Sequence, residues 1–244
     1  MTAVFVHGVP ETTAIWDPLI AAIDRDVCVA LALPGFGNPL PDGFDTTKEG
    51  YAAWLAEALS LFDEVDLVAH DWGALLAMRV LADRPANVRT WVLDTGDLDE
   101  SFRWHDAART WQTPGDGEAY VEAWLALPAE ERGAGLHSVG APQRGARQMA
   151  EAIDATMCEA ILPLYRSATE IGREWGPGID SWTGRGLIIG SMKDRFRSPR
   201  LVAQLAQRTG AEVLDLAECG HWWMLEEPEL VAEALQRHWG DTPS

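Results

Sequence analysis

The chain is short of cysteine, of positive charge and of long apolar runs, and each shortage excludes a class of protein. Cysteine occurs only three times, at Cys28, Cys158 and Cys219. An odd number of widely separated cysteines fits neither a disulfide framework nor a metal-binding cysteine pair. We therefore expect reduced thiols and a cytoplasmic protein.

The sequence also lacks the features of membrane and nucleic-acid-binding proteins. No apolar run approaches the length of a membrane span, and the first residues lack the basic start of a signal peptide. The sequence has 19 Lys and Arg residues and 38 Asp and Glu residues, which gives a net charge of −19 at pH 7. A charge of that sign repels phosphate backbones. We expect neither a membrane nor a nucleic-acid partner.

What the 244 residues do contain is an alternation of short apolar runs with helical patterns. The runs predicted as strands are 3–6, 27–33, 65–68, 90–93, 186–190 and 212–216. Because alternating strands and helices pair in parallel through right-handed crossovers, we predict an α/β fold with a mostly parallel sheet of about six strands.

The alternation stops in the middle of the chain. Residues 98–182 carry helical stretches at 118–127 and 145–161 with Pro and Gly breaks, which predicts a helical cap inserted after the fourth strand. The predicted division is therefore a core formed by 1–97 and 183–244, and a cap formed by 98–182.

The strand predicted at 65–68 ends at a turn with small residues on both sides of a carboxylate. The turn reads Ala69, His70, Asp71, Trp72, Gly73, and a helical pattern follows. A sharp strand-to-helix turn requires such small residues two positions before and after its apex. An ionised carboxylate at the apex can attack saturated carbon directly, which makes Asp71 a candidate nucleophile. The alternative is an ordinary helix N-cap.

The turn after the first strand is a candidate oxyanion site. Gly8 allows a tight turn and Pro10 stiffens its exit, so that the amide of Val9 would face the apex of the other turn. Together with the amide of Trp72 it would stabilise an oxyanion. The alternative is an ordinary strand-ending turn.

An acid and a histidine follow the last two predicted strands. Asp194 comes after the fifth strand and His221 after the sixth, at the edge where parallel sheets bind ligands. We expect Asp194 to orient His221 as a base, against the alternatives of a turn residue and a capped histidine. Asp97, after the fourth strand, is the reserve acid.

The chain resembles the aspartate-nucleophile branch of the α/β-hydrolase superfamily in the order of its nucleophile, acid and histidine and in two motifs. The motifs are His7-Gly8-Val9-Pro10 and His70-Asp71-Trp72-Gly73. That branch contains epoxide hydrolases and haloalkane and haloacid dehalogenases. The resemblance spans nearly the whole chain. It implies that Asp71 forms an ester with substrate carbon and that His221 activates the water that hydrolyses the ester. It implies no metal and no organic cofactor.

Within the branch, two cap segments are similar to epoxide hydrolases: Leu164-Tyr165-Arg166, and Trp111 to Gly115. Opening an epoxide leaves an alkoxide that needs an O–H donor, and the resemblance assigns that role to Tyr165. Epoxide hydrolases usually place a second tyrosine shortly before the second segment, but residues 104–111 contain none. Tyr120 and His105 remain open as its replacement.

A dehalogenase is the alternative within the branch. The indole of Trp72 would donate to a departing halide, but Val9 has no side-chain donor where haloalkane enzymes often have asparagine. Trp72 also stands where haloacid enzymes often have arginine. Both departures favour an epoxide over a halide.

Two other classes of function are less well supported. An esterase-like hydrolase of this fold needs Ser or Cys at position 71, and a non-catalytic binding protein usually has a broken triad. We expect an epoxide hydrolase acting on a small, largely neutral molecule with water as co-substrate, as a monomer or a homodimer. The expected substrate contacts are His7, Phe36, Trp111, Tyr120 and Trp222.

Overall fold

A computed structural model describes residues 1–94 and 98–240, in which six strands form one sheet with every neighbouring pair parallel. The strands are β1 (Thr2–Val6), β2 (Cys28–Leu31), β3 (Val65–Ala69), β4 (Val88–Leu93), β5 (Arg185–Ser191) and β6 (Glu212–Leu216). Their spatial order is β2-β1-β3-β4-β5-β6. The predicted α/β fold is confirmed, and the second strand is shorter than the predicted 27–33.

Helices cover both faces of this sheet. In the described ranges they are α1 (Asp17–Ala22), α2 (Lys48–Ser60), α3 (Trp72–Ala82), α4 (Asp106–Gln112), α5 (Asp116–Ala126), α6 (Ala129–Ser138), α7 (Gln143–Ala152), α8 (Ala155–Arg166), α9 (Ile171–Trp175), α10 (Pro199–Thr209), α11 (Trp223–Glu226) and α12 (Pro228–Trp239). Right-handed crossovers place α1 on one face and α2, α3 and α10 on the other, and α12 packs against α1. The central strand β3 is consequently buried along its whole length.

The segment between β4 and β5 is helical, with α4 to α9 and a 3₁₀ helix at Gly176–Ser181. The single helical stretch predicted at 145–161 is wrong, because two helices occupy it. Asp154 breaks the stretch: its carboxylate accepts a hydrogen bond from the Met157 amide at 2.8 Å and caps the start of α8. None of the helices in residues 1–94 and 98–240 combines the length and apolar character that a bilayer crossing requires.

Aromatic rings join this helical segment to the core. The ring of Trp72, at the start of α3, stacks on that of Trp104 with centroids 5.4 Å apart, and meets the ring of Tyr165 edge-on at 5.1 Å. Trp111 meets Tyr165 edge-on at 4.8 Å. Such pairs contribute beyond the apolar area that they bury. The residue that follows the apex of the sharp turn therefore also contacts α8 and the segment just before α4.

Gly73 allows α3 to start directly behind the ends of β1 and β3. A Cβ atom at position 73 would lie 2.4 Å from the carbonyl oxygen of Val6 and 2.6 Å from that of His7. Both are backbone atoms in the middle of the sheet, so neither can move aside cheaply. The small residue predicted at this end of the turn is thus required by contact with a neighbouring strand.

We expect Gly73→Ala to lower the free energy of unfolding by about 1–3 kcal/mol, the usual cost of forcing an extra methyl group into a packed region. Urea denaturation followed by circular dichroism measures the change. Gly135→Ala in α6 is the matched control, because a Cβ there meets nothing within 4 Å, and alanine stabilises a helix by about 0.5–1 kcal/mol over glycine. Equal stability of the two variants would contradict the packing argument.

Candidate active site

Asp71 occupies the apex of a strained turn between β3 and α3. Its φ of 50° and ψ of −120° lie outside the regions that residues with a Cβ normally adopt. Its carboxylate makes no capping hydrogen bond to α3. Instead, Oδ1 accepts a hydrogen bond of 2.9 Å from the Val9 amide. The N-cap alternative therefore does not describe this residue.

The predicted oxyanion site has two amides, those of Val9 and Trp72. The Val9 amide already binds Oδ1. Trp72 is the first residue of α3, so its amide has no carbonyl partner within the helix. Only glycine at position 8 lets the Val9 turn lie so close to the Asp71 carboxylate, because a Cβ there would lie 2.3 Å from Asp71 Oδ1.

Asp71, His221 and Asp194 are brought together at the carboxyl ends of their strands. His221 Nδ1 lies 2.8 Å from Asp194 Oδ2, and His221 Nε2 lies 3.8 Å from Asp71 Oδ2. Nδ1–H therefore donates to Asp194, which turns Nε2 toward Asp71. Burial lowers the pKa of His221, but the charge of Asp194, its hydrogen bond to the ring and the charge of Asp71 together raise the pKa above its usual value.

Burial raises the pKa of Asp71, and His221 and His70 oppose the rise. The anionic form of this carboxylate thus depends on neighbouring positive charge. The reserve acid predicted from the sequence, Asp97, lies outside the described residues. The residue that directly follows β4 is Asp94, and its Oδ1 accepts a hydrogen bond of 3.1 Å from the Asp71 amide.

His70 lies between two buried carboxylates. Its Nε2 is 3.0 Å from Glu11 Oε1, and its Nδ1 makes a short contact with Asp94 Oδ2. Because a carboxylate only accepts, both ring nitrogens carry protons and the ring is an imidazolium ion. Burial lowers its pKa, but the charges of Asp94 and Glu11 raise it well above the usual value.

This ion connects the two turns of the site. Glu11 Oε2 accepts a hydrogen bond of 2.8 Å from the Gly8 amide, at the start of the Val9 turn. Asp94 holds the Asp71 amide on the other side. The tryptophans after His221 complete the network: Trp222 Nε1 donates to Glu11 and Trp223 Nε1 to Asp94. The sequence analysis missed this bridge, although Asp94 has the same place after a strand as Asp194.

Glu11, His70 and His221 also bring potential metal ligands within 4.8 Å of one another. The atoms that would bind a cation are already engaged, since Glu11 Oε1 accepts from both His70 and the Trp222 indole. A protonated His70 offers no lone pair to a metal. The arrangement is therefore explained by its hydrogen bonds.

A cavity of about 310 Å³ opens above Asp71. Three of the five predicted substrate contacts, Trp111, Tyr120 and Trp222, line it together with Tyr165 and His221. Tyr120 is 38% exposed and lies in the outer part, whereas Tyr165 is 2% exposed. Aromatic side chains thus line both the buried and the more exposed parts of the cavity.

The structure does not bring the other two predicted contacts, His7 and Phe36, to this cavity. His7 is fully buried: its Nε2 accepts from the Leu33 amide at 3.1 Å, and its Nδ1 donates to the Gly8 carbonyl at 2.9 Å. Phe36 is also fully buried and packs on the His7 ring, with centroids 6.1 Å apart. Because β1 pairs with β2, the loops after these strands pack on each other instead of facing the ligand.

Tyr165 and His105 are neutral donors on the cavity wall. Burial, followed by the charge of Asp71, raises the pKa of Tyr165 well above its usual value, and the Trp72 indole opposes this as a smaller effect. Burial lowers the pKa of His105 to about 4. Because His105 Nδ1 accepts from the Ala108 amide at 3.2 Å, the proton of the neutral ring is on Nε2.

Comparison with known proteins gives the family. A model described as the alpha/beta hydrolase family matches residues 3–234. The chain belongs to this family. The protein is thus an α/β-hydrolase enzyme, and the resemblance inferred from its motifs is confirmed at that level.

Individual relatives of this α/β-hydrolase include several enzymes. A haloalkane dehalogenase of Mesorhizobium japonicum is 35% identical over 92 residues, which span 36% of this chain and 29% of that relative. A loop variant of a haloalkane dehalogenase from Bradyrhizobium elkanii is 22% identical, with a TM-score of 0.68 over 100% of this chain and 91% of its own. An E-2-(acetamidomethylene)succinate hydrolase is 19% identical, with a TM-score of 0.76 over 98% and 91%. At these identities the solved structures establish the fold.

We expect His70→Gln to lower the free energy of unfolding at neutral pH by about 3–5 kcal/mol, because it leaves two buried carboxylates without a positive partner. Guanidinium denaturation measures the loss. The matched control is His137→Gln on the exposed side of α6, which removes a single histidine hydrogen bond to the Ala141 carbonyl and should cost about 1 kcal/mol or less. A His70→Gln variant as stable as this control would show that the bridge is not an ion pair.

Proposed function

We propose that this α/β-hydrolase converts a small, largely neutral epoxide into a vicinal diol through a covalent ester on Asp71. The observation that carries the proposal is the pair of neutral donors, Tyr165 and His105, on the wall of the cavity that also contains Asp71 and His221. An epoxide oxygen bound by these donors would have its adjacent carbon close to the carboxylate. His105 is one of the two replacements that the sequence left open for the absent second tyrosine.

The two oxygens of Asp71 have different neighbours, and we therefore give them different roles in the first step. Oδ1 is held by the Val9 amide, whereas Oδ2 lies toward His221. Oδ2 therefore attacks the epoxide carbon and forms the new C–O bond as the ring C–O bond breaks. The electron pair of that bond stays on the former epoxide oxygen, which takes a proton from the Tyr165 hydroxyl and a hydrogen bond from His105 Nε2–H.

In the second step water hydrolyses the ester. His221 Nε2 removes a proton from water as its oxygen bonds to Asp71 Cγ, and the charge that develops on Oδ1 is stabilised by the Val9 and Trp72 amides. The Cγ–Oδ2 bond then breaks, and the leaving alkoxide takes the proton from His221. The Asp71 carboxylic acid that remains returns its proton, through water, to the Tyr165 phenolate left by the first step, so that both groups regain their starting states. Esterification has removed the Asp71 charge, one of the effects that raise the pKa of His221, and so favours the neutral base.

The cavity also indicates the kind of substrate. Its volume of about 310 Å³ is at the small end of the range for ligand sites, about 300–1,000 Å³. Its outer part is formed mainly by tryptophan and tyrosine rings, with Trp111 and Trp124 nearly parallel at 6.3 Å. An epoxide with one aromatic or short alkyl substituent suits this space, and styrene oxide is the test compound that we choose.

Haloalkane dehalogenation is the second candidate, and one observation favours it. The indole Nε1 atoms of Trp72 and Trp111 are buried and make no hydrogen bond of good geometry with any residue in the described ranges. Such donors would suit a halide leaving Asp71-bound carbon. The match to the dehalogenase of Mesorhizobium japonicum supports the same candidate, although it spans less than a third of that relative.

We expect His221→Gln to form the ester and to hydrolyse it about 10²–10⁴-fold more slowly than the wild type, because the general base is absent. Mass spectrometry after incubation with styrene oxide should show the mass of the whole epoxide added to the peptide that contains Asp71. Asp71→Asn should remain unmodified and serves as the control. An unmodified Asp71 in a His221→Gln variant that still forms diol would contradict the mechanism.

We expect Tyr165→Phe to slow ester formation from styrene oxide by about 10²–10⁴-fold, because the alkoxide loses its proton donor. Ester formation from 1-bromobutane needs no such donor and should be unchanged. Trp72→Phe is the matched variant. If the enzyme is a dehalogenase, this variant should slow ester formation from 1-bromobutane and leave ester formation from styrene oxide unchanged. Rapid-quench mass spectrometry measures both rates, and equal losses on both substrates would remove Tyr165 from this role.

A further inference from the structure

A second, smaller cavity of about 50 Å³ also borders Asp71. It shares Asp71, His105, Phe196 and His221 with the larger cavity. The residues that line the smaller one and not the larger are Leu75, Asp94, Phe102, Arg103, Trp104 and Arg197. Asp71 and His221 therefore border both cavities.

Arg197 is the unexplained group in the smaller cavity. It follows β5, and its Nη1 donates a hydrogen bond to the Ile189 carbonyl. Its Nε and Nη2 atoms are buried and make no hydrogen bond with any residue in 1–94 or 98–240. Burial lowers the pKa of the guanidinium, and Asp94 and Asp194 oppose this. An arginine remains charged in proteins, so two buried guanidinium nitrogens, which carry three N–H groups, are left without an acceptor.

The cavity has the size and chemistry of a water site. Its volume of about 50 Å³ suits one or two water molecules, which occupy about 30 Å³ each in the liquid. A water there can accept from Arg197 and donate to Asp71 or Asp94. A halide or a carboxylate would accept from Arg197 but would be repelled by both aspartates. The surroundings therefore favour water over an anion.

We propose that Arg197 binds the water molecule that hydrolyses the Asp71 ester, in this smaller cavity. The proposal rests on the two-step mechanism proposed above. After the first step the alkyl group fills the larger cavity, and water reaches Asp71 Cγ from the smaller one. Its oxygen forms the bond to Cγ, its proton passes to His221 Nε2, and Arg197 donates to the oxygen without gaining or losing a proton.

Arg103 also lines the smaller cavity. It is exposed, and its Nη1 donates to the backbone carbonyls of Glu100 and Phe102. The lining of the smaller cavity thus includes an exposed side chain as well as buried ones.

The test compares the two chemical steps in Arg197→Met by rapid-quench mass spectrometry with styrene oxide or 1-bromobutane, whichever alkylates the wild type. We expect ester formation at the wild-type rate and ester hydrolysis slowed about ten- to a hundredfold, so that the ester accumulates. Arg197→Lys should recover part of the hydrolysis rate. Arg195→Met is the matched control and should resemble the wild type in both steps, because Arg195 is exposed and lines neither cavity.

A second variant tests the cavity without removing the arginine. Leu75→Phe places a larger side chain in the smaller cavity and should also slow hydrolysis selectively. A purely structural role for Arg197 would slow both steps together in Arg197→Met and would leave no effect specific to hydrolysis. That result, or normal hydrolysis in both Arg197→Met and Leu75→Phe, overturns the proposal.

A crystal structure of the wild type separates this proposal from the proposed function. We expect an ordered water within about 3.2 Å of Arg197 Nε or Nη2, whatever substrate the enzyme uses. If that water is present but neither substrate alkylates Asp71, the proposed function fails and the water site stands without its role in ester hydrolysis. If the cavity contains no water, the proposal about Arg197 fails even where Asp71 is alkylated.

Discussion

The site depends on one buried cation, the His70 imidazolium between Glu11 and Asp94. Two carboxylates could not remain buried and ionised at this place without it, because the cost of removing them from water would have no compensation. The carboxylates in turn hold the amides of Gly8 and Asp71. A single ion therefore connects the Val9 turn to the turn at Asp71, and its charge also favours the anionic form of Asp71.

The helical segment adds what the core lacks. The core supplies Asp71, His221 and backbone amides, but the neutral side chains of Tyr165 and His105 come from the segment between β4 and β5. Trp72 belongs to both parts, since its amide borders Asp71 and its ring packs on Trp104 and Tyr165. The same side chain thus couples the geometry of the turn to the position of the donors, and the substrate cavity is the space between them.

Several features could be predicted from the sequence because they depend on neighbouring residues. The apolar runs, the small residues around Asp71 and the order of Asp71, Asp194 and His221 all reflect local backbone requirements or strand ends at one edge of a sheet. The prediction failed for His7 and Phe36, whose motif position was read as a ligand contact although they pack between adjacent loops. It also missed the break at Asp154, where one capping hydrogen bond divides an apolar pattern.

The sequence by itself thus determined the parallel α/β architecture, the sharp turn at Asp71 and the set of polar residues at the strand ends. Only the tertiary structure decided how those residues pair. Asp194 orients His221 whereas Asp94 binds His70, and a sequence cannot distinguish two aspartates that both follow strands. The physical reason is that pairing depends on distances of a few ångströms between segments far apart in the chain, and these distances follow from sheet order and packing.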